Sequence, residues 1–365
     1  MITNFKTFLL ESPEYNRGDV AEAIFASALA ARFLVKPEQK VSKSDVEKAL
    51  DRIMIQHKKT ETRKDRDNVT VDTIELDISI PQKATTYLSS KKNWPQFSDI
   101  FDACIEYVNT TRRLNLQAKV YYMNNKKNKI EVKGEGTKDQ KGTKVDIALV
   151  FDGKRSKNQI SLKTKGGEQF GQVSGVSFDK QHTLWREGFD IDIASLKSEF
   201  IRNLGDFNEK IEYETRADPQ LEKQKSMLRN AIKPMFTKIV SKINQLSTSG
   251  EIDLVEHLIK FIRKHMTKDE HQYIEFVKID KKKAQSLRFE KKFEKNIRKF
   301  NFTAHAKVEG DPTIIIRETT NNKPLIQMRY KIEAASSTKA GKKIYKVYPR
   351  TLFELPTDSI LFDLG

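Results

Sequence analysis

Apolar residues first fall into a helical rhythm at Val20, with Ile24, Phe25, Ala28, Leu29 and Phe33 forming one stripe behind the turn-forming run Asn16-Arg17-Gly18-Asp19. That spacing predicts a helix capped within the turn. Ser42 or Ser44 caps a second helix through Ile55, and the charged Lys58 to Arg66 reads as an exposed loop. Alternation from Val69 to Ile80 predicts a strand ended by Pro81, and a helix carrying Phe97, Phe101, Ile105 and Val108 starts near Trp94-Pro95. Ala118 to Met123, Ile130 to Lys133, Val145 to Phe151 and Gln159 to Thr164 are strand-like and separated by Asn, Gly and Lys turns, which predicts a meander. After Phe178 the rhythm becomes that of long helices, Ile193 to Leu204, Pro219 to Leu246 and Glu251 to His265, followed by the basic Lys278 to Lys299 and a β-rich stretch from Thr313 to Phe362. The pattern is that of an α/β chain with a core at 1–190 and a helical, basic and β-rich region at 191–365.

Composition narrows the classes. The chain has 365 residues, of which 32% are charged, yet its 21 Phe and 10 Tyr are too many for a disordered polymer. Its single cysteine, Cys104, makes no internal disulfide and no Cys-based zinc site, so a reducing compartment, the cytoplasm, is expected. The uncharged run Ala23 to Ala31, set between Glu22 and Arg32, falls well short of the roughly 20 apolar residues that span a bilayer, and no signal peptide or membrane partner is expected. A formal net charge of +17 points to a polyanion, because clustered Lys and Arg gain affinity by releasing counterions from phosphates.

The candidate chemistry lies in Gly142-Thr-Lys-Val-Asp146-Ile-Ala-Leu-Val-Phe-Asp-Gly153 and in Gln159-Ile-Ser161-Leu-Lys163-Thr-Lys165. Residues two apart in a strand share a face, so Gln159, Ser161, Lys163 and Lys165 point one way while Ile160 and Leu162 enter the core. A hairpin centred near residues 154 and 155 sets Asp146 opposite Lys163. This pair resembles the PD-(D/E)XK superfamily of restriction endonuclease-like nucleases, whose pattern is an acid on one strand and acid-x-Lys on the next. Asp146 matches the first acid and Lys163 the lysine, while Val145 replaces the proline and Ser161 the second acid, as in some restriction enzymes with a similar Ile-Ser-x-Lys run.

The resemblance implies a restriction endonuclease-like mixed β-sheet core flanked by helices, covering residues 15–185, and metal-dependent hydrolysis of double-stranded DNA with Mg²⁺ or Mn²⁺ as cofactor. It implies Asp146 and the backbone carbonyl of Leu162 as metal ligands, and Lys163 as the residue that polarises water or stabilises the transition state. Members of the superfamily often carry a glutamate on the first helix. Glu22 borders the apolar face of that helix, so it is either that ligand or a partly exposed glutamate with its stem on the core. The resemblance of Phe5-Lys-Thr-Phe-Leu-Leu-Glu11 to the start of tailed-phage proteins implies a phage origin.

Two further features fit DNA. Thr164 to Gly175 is glycine-rich, with Gln169 and Gln172 placed to reach base edges or a phosphate, and is otherwise a strand-to-helix turn. Lys278 to Lys299 holds ten Lys or Arg against three acids, with Phe289, Phe293, Ile297 and Phe300 as a core-facing helical stripe. Its outward lysines, Lys291, Lys292 and Lys295 among them, contact phosphate or form a solvated face. Other classes fall away: the glycines at 136 and 142 are too far apart for a Walker A loop, no Gly-x-Ser-x-Gly occurs, and the six histidines have no metal-ligand spacing. The leading expectation is an endonuclease whose C-terminal half supplies DNA grip, sequence reading or homodimer contacts. The alternatives are a non-catalytic nucleic-acid-binding or virion-associated protein with a degraded nuclease-like core, and an assembly protein that meets acidic partners.

Overall fold

The computed structural model describes residues 16–59, 68–71, 74–77, 82–124, 126, 129–134, 145–163, 169–175, 177–269, 272–280, 282–288, 291–339, 341–356 and 358–363. In chain order it contains α1 (Arg17–Leu34), α2 (Lys43–Lys59), β1 (Asn68–Val71), β2 (Ile74–Asp77), α3 (Gln82–Leu88), α4 (Ser98–Thr110), α5 (Arg112–Met123), β3 (Ile130–Gly134), β4 (Ile147–Phe151) and β5 (Lys154–Lys163). There follow β6 (Gln169–Ser174), α6 (Phe178–Phe189), α7 (Lys197–Leu204), α8 (Pro219–Ser249), α9 (Leu254–Met266), β7 (Thr267–Asp269), β8 (Gln272–Asp280), β9 (Lys283–Arg288), α10 (Lys291–Ile297), β10 (Phe302–Lys307), β11 (Thr313–Glu318), β12 (Pro324–Lys339) and β13 (Lys342–Glu354). No helix among the described residues is long and apolar enough to cross a membrane.

The described residues form two compact units, one within Met1–Gly167 and Lys268–Arg288, the other within Glu168–Thr267 and Phe289–Gly365. The first holds a mixed sheet in the order β1-β2-β3-β4-β5-β8-β7, with β9 on β8. Pairs β3/β4 and β4/β5 are antiparallel, whereas β2/β3 and β5/β8 are parallel. α1 is buried from Val20 to Phe33 around almost its whole circumference, as expected of an alanine-rich helix with little polar surface to offer water. Its Arg32, only 2% exposed, donates to the carbonyls of Val35, Lys36 and Gln39 beyond the helix end and so ties the following turn to the helix. Ile147, Leu149, Ile160, Leu162, Val277 and Ile279 join α1 in a single apolar core.

The second unit carries an antiparallel sheet, β10-β11-β12-β13-β6. Its longest helix, α8, opens with Pro219 behind the Asp218 cap and closes at Gly250, whose φ of 76° suits a residue without Cβ. The protein is therefore mixed α/β, with one mixed and one antiparallel sheet.

Several expectations are corrected. Ala118 to Met123 is helical: Leu114, Ala118 and Tyr121 are buried at helical spacing, and that burial overrides the strand preference of Val-Tyr-Tyr. The single strand expected over Val69 to Ile80 contains the two antiparallel strands β1 and β2. Gln169 to Ser174 is strand β6, not a turn, and the basic run from Lys278 is divided among β8, β9 and α10. Only the last part keeps its helical stripe, with Phe293 and Ile297 buried. The division also differs from one at residue 190, because β8 returns to the first sheet after an excursion through the second unit. Of the loop expected over Lys58 to Arg66, Lys58 and Lys59 continue α2 instead, and the remainder, with the phage-like Phe5 to Glu11 and the glycine-rich 136–144, lies outside the described residues.

Candidate functional site

The β4/β5 hairpin sets the geometry. Asp152 (φ 49°) and Gly153 (φ 74°) make a two-residue turn closed by the pair Phe151 and Lys154. An irregularity between Ala148 and Val150 then shifts the register, so that Ala148 pairs with Gln159 and Ile147 with Ile160. That register, continued one residue, sets Asp146 beside Ser161 rather than opposite Lys163, and the Asp146 N–H donates to the Ile160 carbonyl at 2.9 Å. The correction is two residues, and an even shift leaves the side chains on the same face.

Asp146 Oδ2 is the centre of the cluster. It accepts from the Leu162 N–H at 2.6 Å and the Ser161 hydroxyl at 3.1 Å, and Lys163 Nζ lies 3.6 Å away. Within a strand the N–H and C=O of one residue leave on the same side, so the Leu162 carbonyl leaves β5 on the side that faces β4. Ser161 is 1% exposed, whereas the Lys163 and Asp146 side chains keep 21% and 19% of their surface. The hydroxyl is thus structural cover, while the amine and carboxylate remain reachable.

α1 brings the second carboxylate. Burial, with the Asp146 and Asp19 carboxylates nearby, pushes the Glu22 carboxyl up to about 8, and Lys163 pulls it the other way. Asp19, one turn earlier on α1, is itself raised by burial. Parallel pairing sets Phe276 beside Ser161 and Lys278 beside Lys163. Lys163 Nζ lies 5.9 Å from the Phe276 ring centroid, and Lys278 is only 5% exposed. No sequence motif marks Lys278 or Asp19 as a site residue. The dense apolar run Ile274, Phe276, Val277 and Ile279 was the available signal for a buried strand.

Among the described residues no group of three or more His, Cys, Asp or Glu is arranged to hold a metal ion. The hairpin and α1 offer two carboxylates, Asp146 and Glu22, in electrostatic reach of one another, and a carbonyl on the same side of β5 as Asp146, all hard oxygen donors. A small divalent cation commonly takes one or two carboxylates and completes its shell with water and substrate phosphate. Burial first, and the Asp146 charge after it, raise Glu22, and a bound cation would offset that charge, so these hard oxygen donors are of the kind such a cation takes.

The other sequence candidates lie in the second unit or outside the described residues. Gln169 and Gln172 lie on β6 in the second unit, bonded to one another at 3.0 Å, and Lys295 is exposed on α10 of that unit. Lys291 and Lys292 begin α10, and Lys165 lies outside the described residues. Cys104 is fully buried on α4, where desolvation pushes its thiol far above the ordinary value and makes it inert core. No protein-family model, curated protein or solved structure matches the chain.

Proposed function

We propose that the protein is a metal-dependent DNA endonuclease built on a restriction endonuclease-like core. The observation that carries this reading is the convergence of Asp146, Lys163 and the Leu162 backbone at the β4/β5 hairpin, with Glu22 of α1 in electrostatic reach. Cleaving a phosphodiester requires an attacking water, a partner for the charge that grows on phosphate and a fixed line of attack. Asp146, Glu22 and the Leu162 carbonyl would hold Mg²⁺ or Mn²⁺, which supplies charge neutralisation and a more acidic water. Ser161 and the Leu162 N–H orient the Asp146 carboxylate through Oδ2. Lys163, tethered by Asp146, presents its ammonium to the water or to a phosphate oxygen. Lys278 adds positive charge beside it.

Plasmid DNA incubated with the protein and Mg²⁺ or Mn²⁺ should be nicked or linearised, and EDTA should stop the reaction. Asp146→Asn should lose at least 100-fold in rate, on the order of 3 kcal/mol at the transition state, yet bind DNA equally or more tightly because a negative charge is gone. Lys163→Ala should lose rate without losing the fold. Wild-type rates in both variants would reject the site.

One observation favours a second reading, a non-catalytic nucleic-acid-binding or virion-associated protein. Asp146 Oδ2 is already engaged by three protein groups, and a serine stands at the position of the second acid. DNA binding with no cleavage under any divalent cation would select it.

A further inference from the structure

β12 and β13 are longer than the sheet that contains them. β11 accompanies β12 only as far as Arg329, and β6 meets β13 only from Arg350 onward. From the pair Ile332/Pro349 to the pair Lys339/Lys342, eight residue pairs join these strands to each other alone. A single bridge from Tyr213 to Tyr345 props the ribbon from the side. At about 3.4 Å per residue the ribbon is about 27 Å long.

Such a ribbon is costly to maintain. Its base packs through Ile332 and Val347, but beyond them a two-stranded hairpin without a packed face is marginal in water and leaves both edges open. Ser336 to Lys339 and Gly341 to Lys343 are all exposed, so burial does not account for the tip. Between residues 331 and 350 stand six cations and one carboxylate. Lys331 and Arg350 are paired with Glu333, while Lys339 and Lys346 share Glu212 at 2.9 Å each. Lys342 and Lys343, at the tip, have no carboxylate partner among the described residues. Edge-protecting lysines would be spread along the strands, whereas this unneutralised charge sits at the end that projects. Ser336, Ser337 and Thr338 stand beside it, and hydroxyls both donate and accept.

We infer that the β12/β13 ribbon is a DNA-reading arm that enters the major groove of duplex DNA. That groove, about 12 Å wide, admits a two-stranded ribbon. Lys342 and Lys343 contact phosphates at its walls, and the hydroxyls of Ser336 and Thr338, which share one face of β12, face base edges. This inference rests on DNA being the partner of the proposed nuclease.

The test is binding to a 30-base-pair duplex in EDTA across 50–200 mM NaCl, by fluorescence anisotropy, with wild type and K342A/K343A. The exposed tip makes loss of fold avoidable, and circular dichroism checks it. Loss of two phosphate contacts should lower the slope of log affinity against log salt by about 1.8. Wild type should protect guanine N7 from dimethyl sulfate, and the variant should protect it less. Duplex RNA of the same sequence, with a major groove too narrow for a ribbon, should compete poorly. An unchanged slope, no N7 protection, or equal competition by RNA would overturn the inference. Cleavage of plasmid by a variant with an unchanged slope rejects the arm and leaves the nuclease standing. Ribbon-dependent binding without metal-dependent cleavage rejects the nuclease and leaves the arm, and absence of duplex binding rejects both.

Discussion

Ser161 occupies the position at which the resemblance calls for an acid, and its hydroxyl donates to Asp146 Oδ2 at 3.1 Å. The hydroxyl therefore orients the remaining carboxylate, and Glu22 is left to supply the second negative charge. Ser161→Ala should cost roughly 0.5–1.5 kcal/mol of stability and leave cleavage measurable, whereas Glu22→Gln should remove metal-dependent cleavage. Steady-state rates on a labelled duplex separate the two; normal cleavage by Glu22→Gln would make Glu22 a structural residue. The same carboxyl has a pH signature in metal-free protein. Its pKa is about 8 when folded and 4.5 ordinarily, so the folded state keeps a proton that the unfolded chain has released. Its contribution to stability is full below pH 4.5 and falls as pH rises to 8. Glu22→Gln lacks this penalty. Guanidinium unfolding in EDTA should show the variant gaining on wild type between pH 5 and pH 8; parallel curves would mean that Glu22 titrates normally.

At the scale of elements, the β4/β5 hairpin and α1 do different work. The hairpin sets the face and spacing of Asp146, Ser161 and Lys163 through a two-residue turn plus a register shift. Gly153, at φ 74°, has nothing within 4 Å of a built Cβ, so replacing it costs backbone strain rather than a clash. Gly153→Ala should destabilise the protein by about 1–2 kcal/mol in denaturant titration while the cleavage rate per folded molecule stays near wild type. A rate loss larger than the loss of folded protein would show that turn strain reaches the site. α1 holds Glu22 at a fixed depth because burial leaves the helix no freedom to rotate. Helix placement and strand register together create the cluster.

For the whole molecule, net charge and topology act separately. A formal charge of +17 raises the local concentration of any polyanion without selecting a sequence. If six or more phosphates are engaged, affinity for a random duplex should fall by about 10³ or more between 50 and 200 mM salt. A flat salt response would place the charge in the service of solubility alone. The topology decides that residues distant in the chain share one sheet: β8 lies next to β5 although the second unit intervenes.

Much of this was open to reading along the chain, and the rest was not. The helix from Arg17, the strands around Asp146 and Lys163, and the common face of Asp146, Ser161 and Lys163 follow from periodicities of 3.6 and 2, which act over a few residues. The sequence by itself therefore determined the hairpin's polar face and the basic character of the molecule. The helical state of Ala118 to Met123 depended on burial against neighbours that local preference does not see. The register shift that replaces Lys163 by Ser161 beside Asp146, the parallel seating of Lys278, and the depth that raises Glu22 were decided by tertiary structure alone. Strand pairing and desolvation are properties of which segments meet in space, and no pattern within one segment encodes its partner's register.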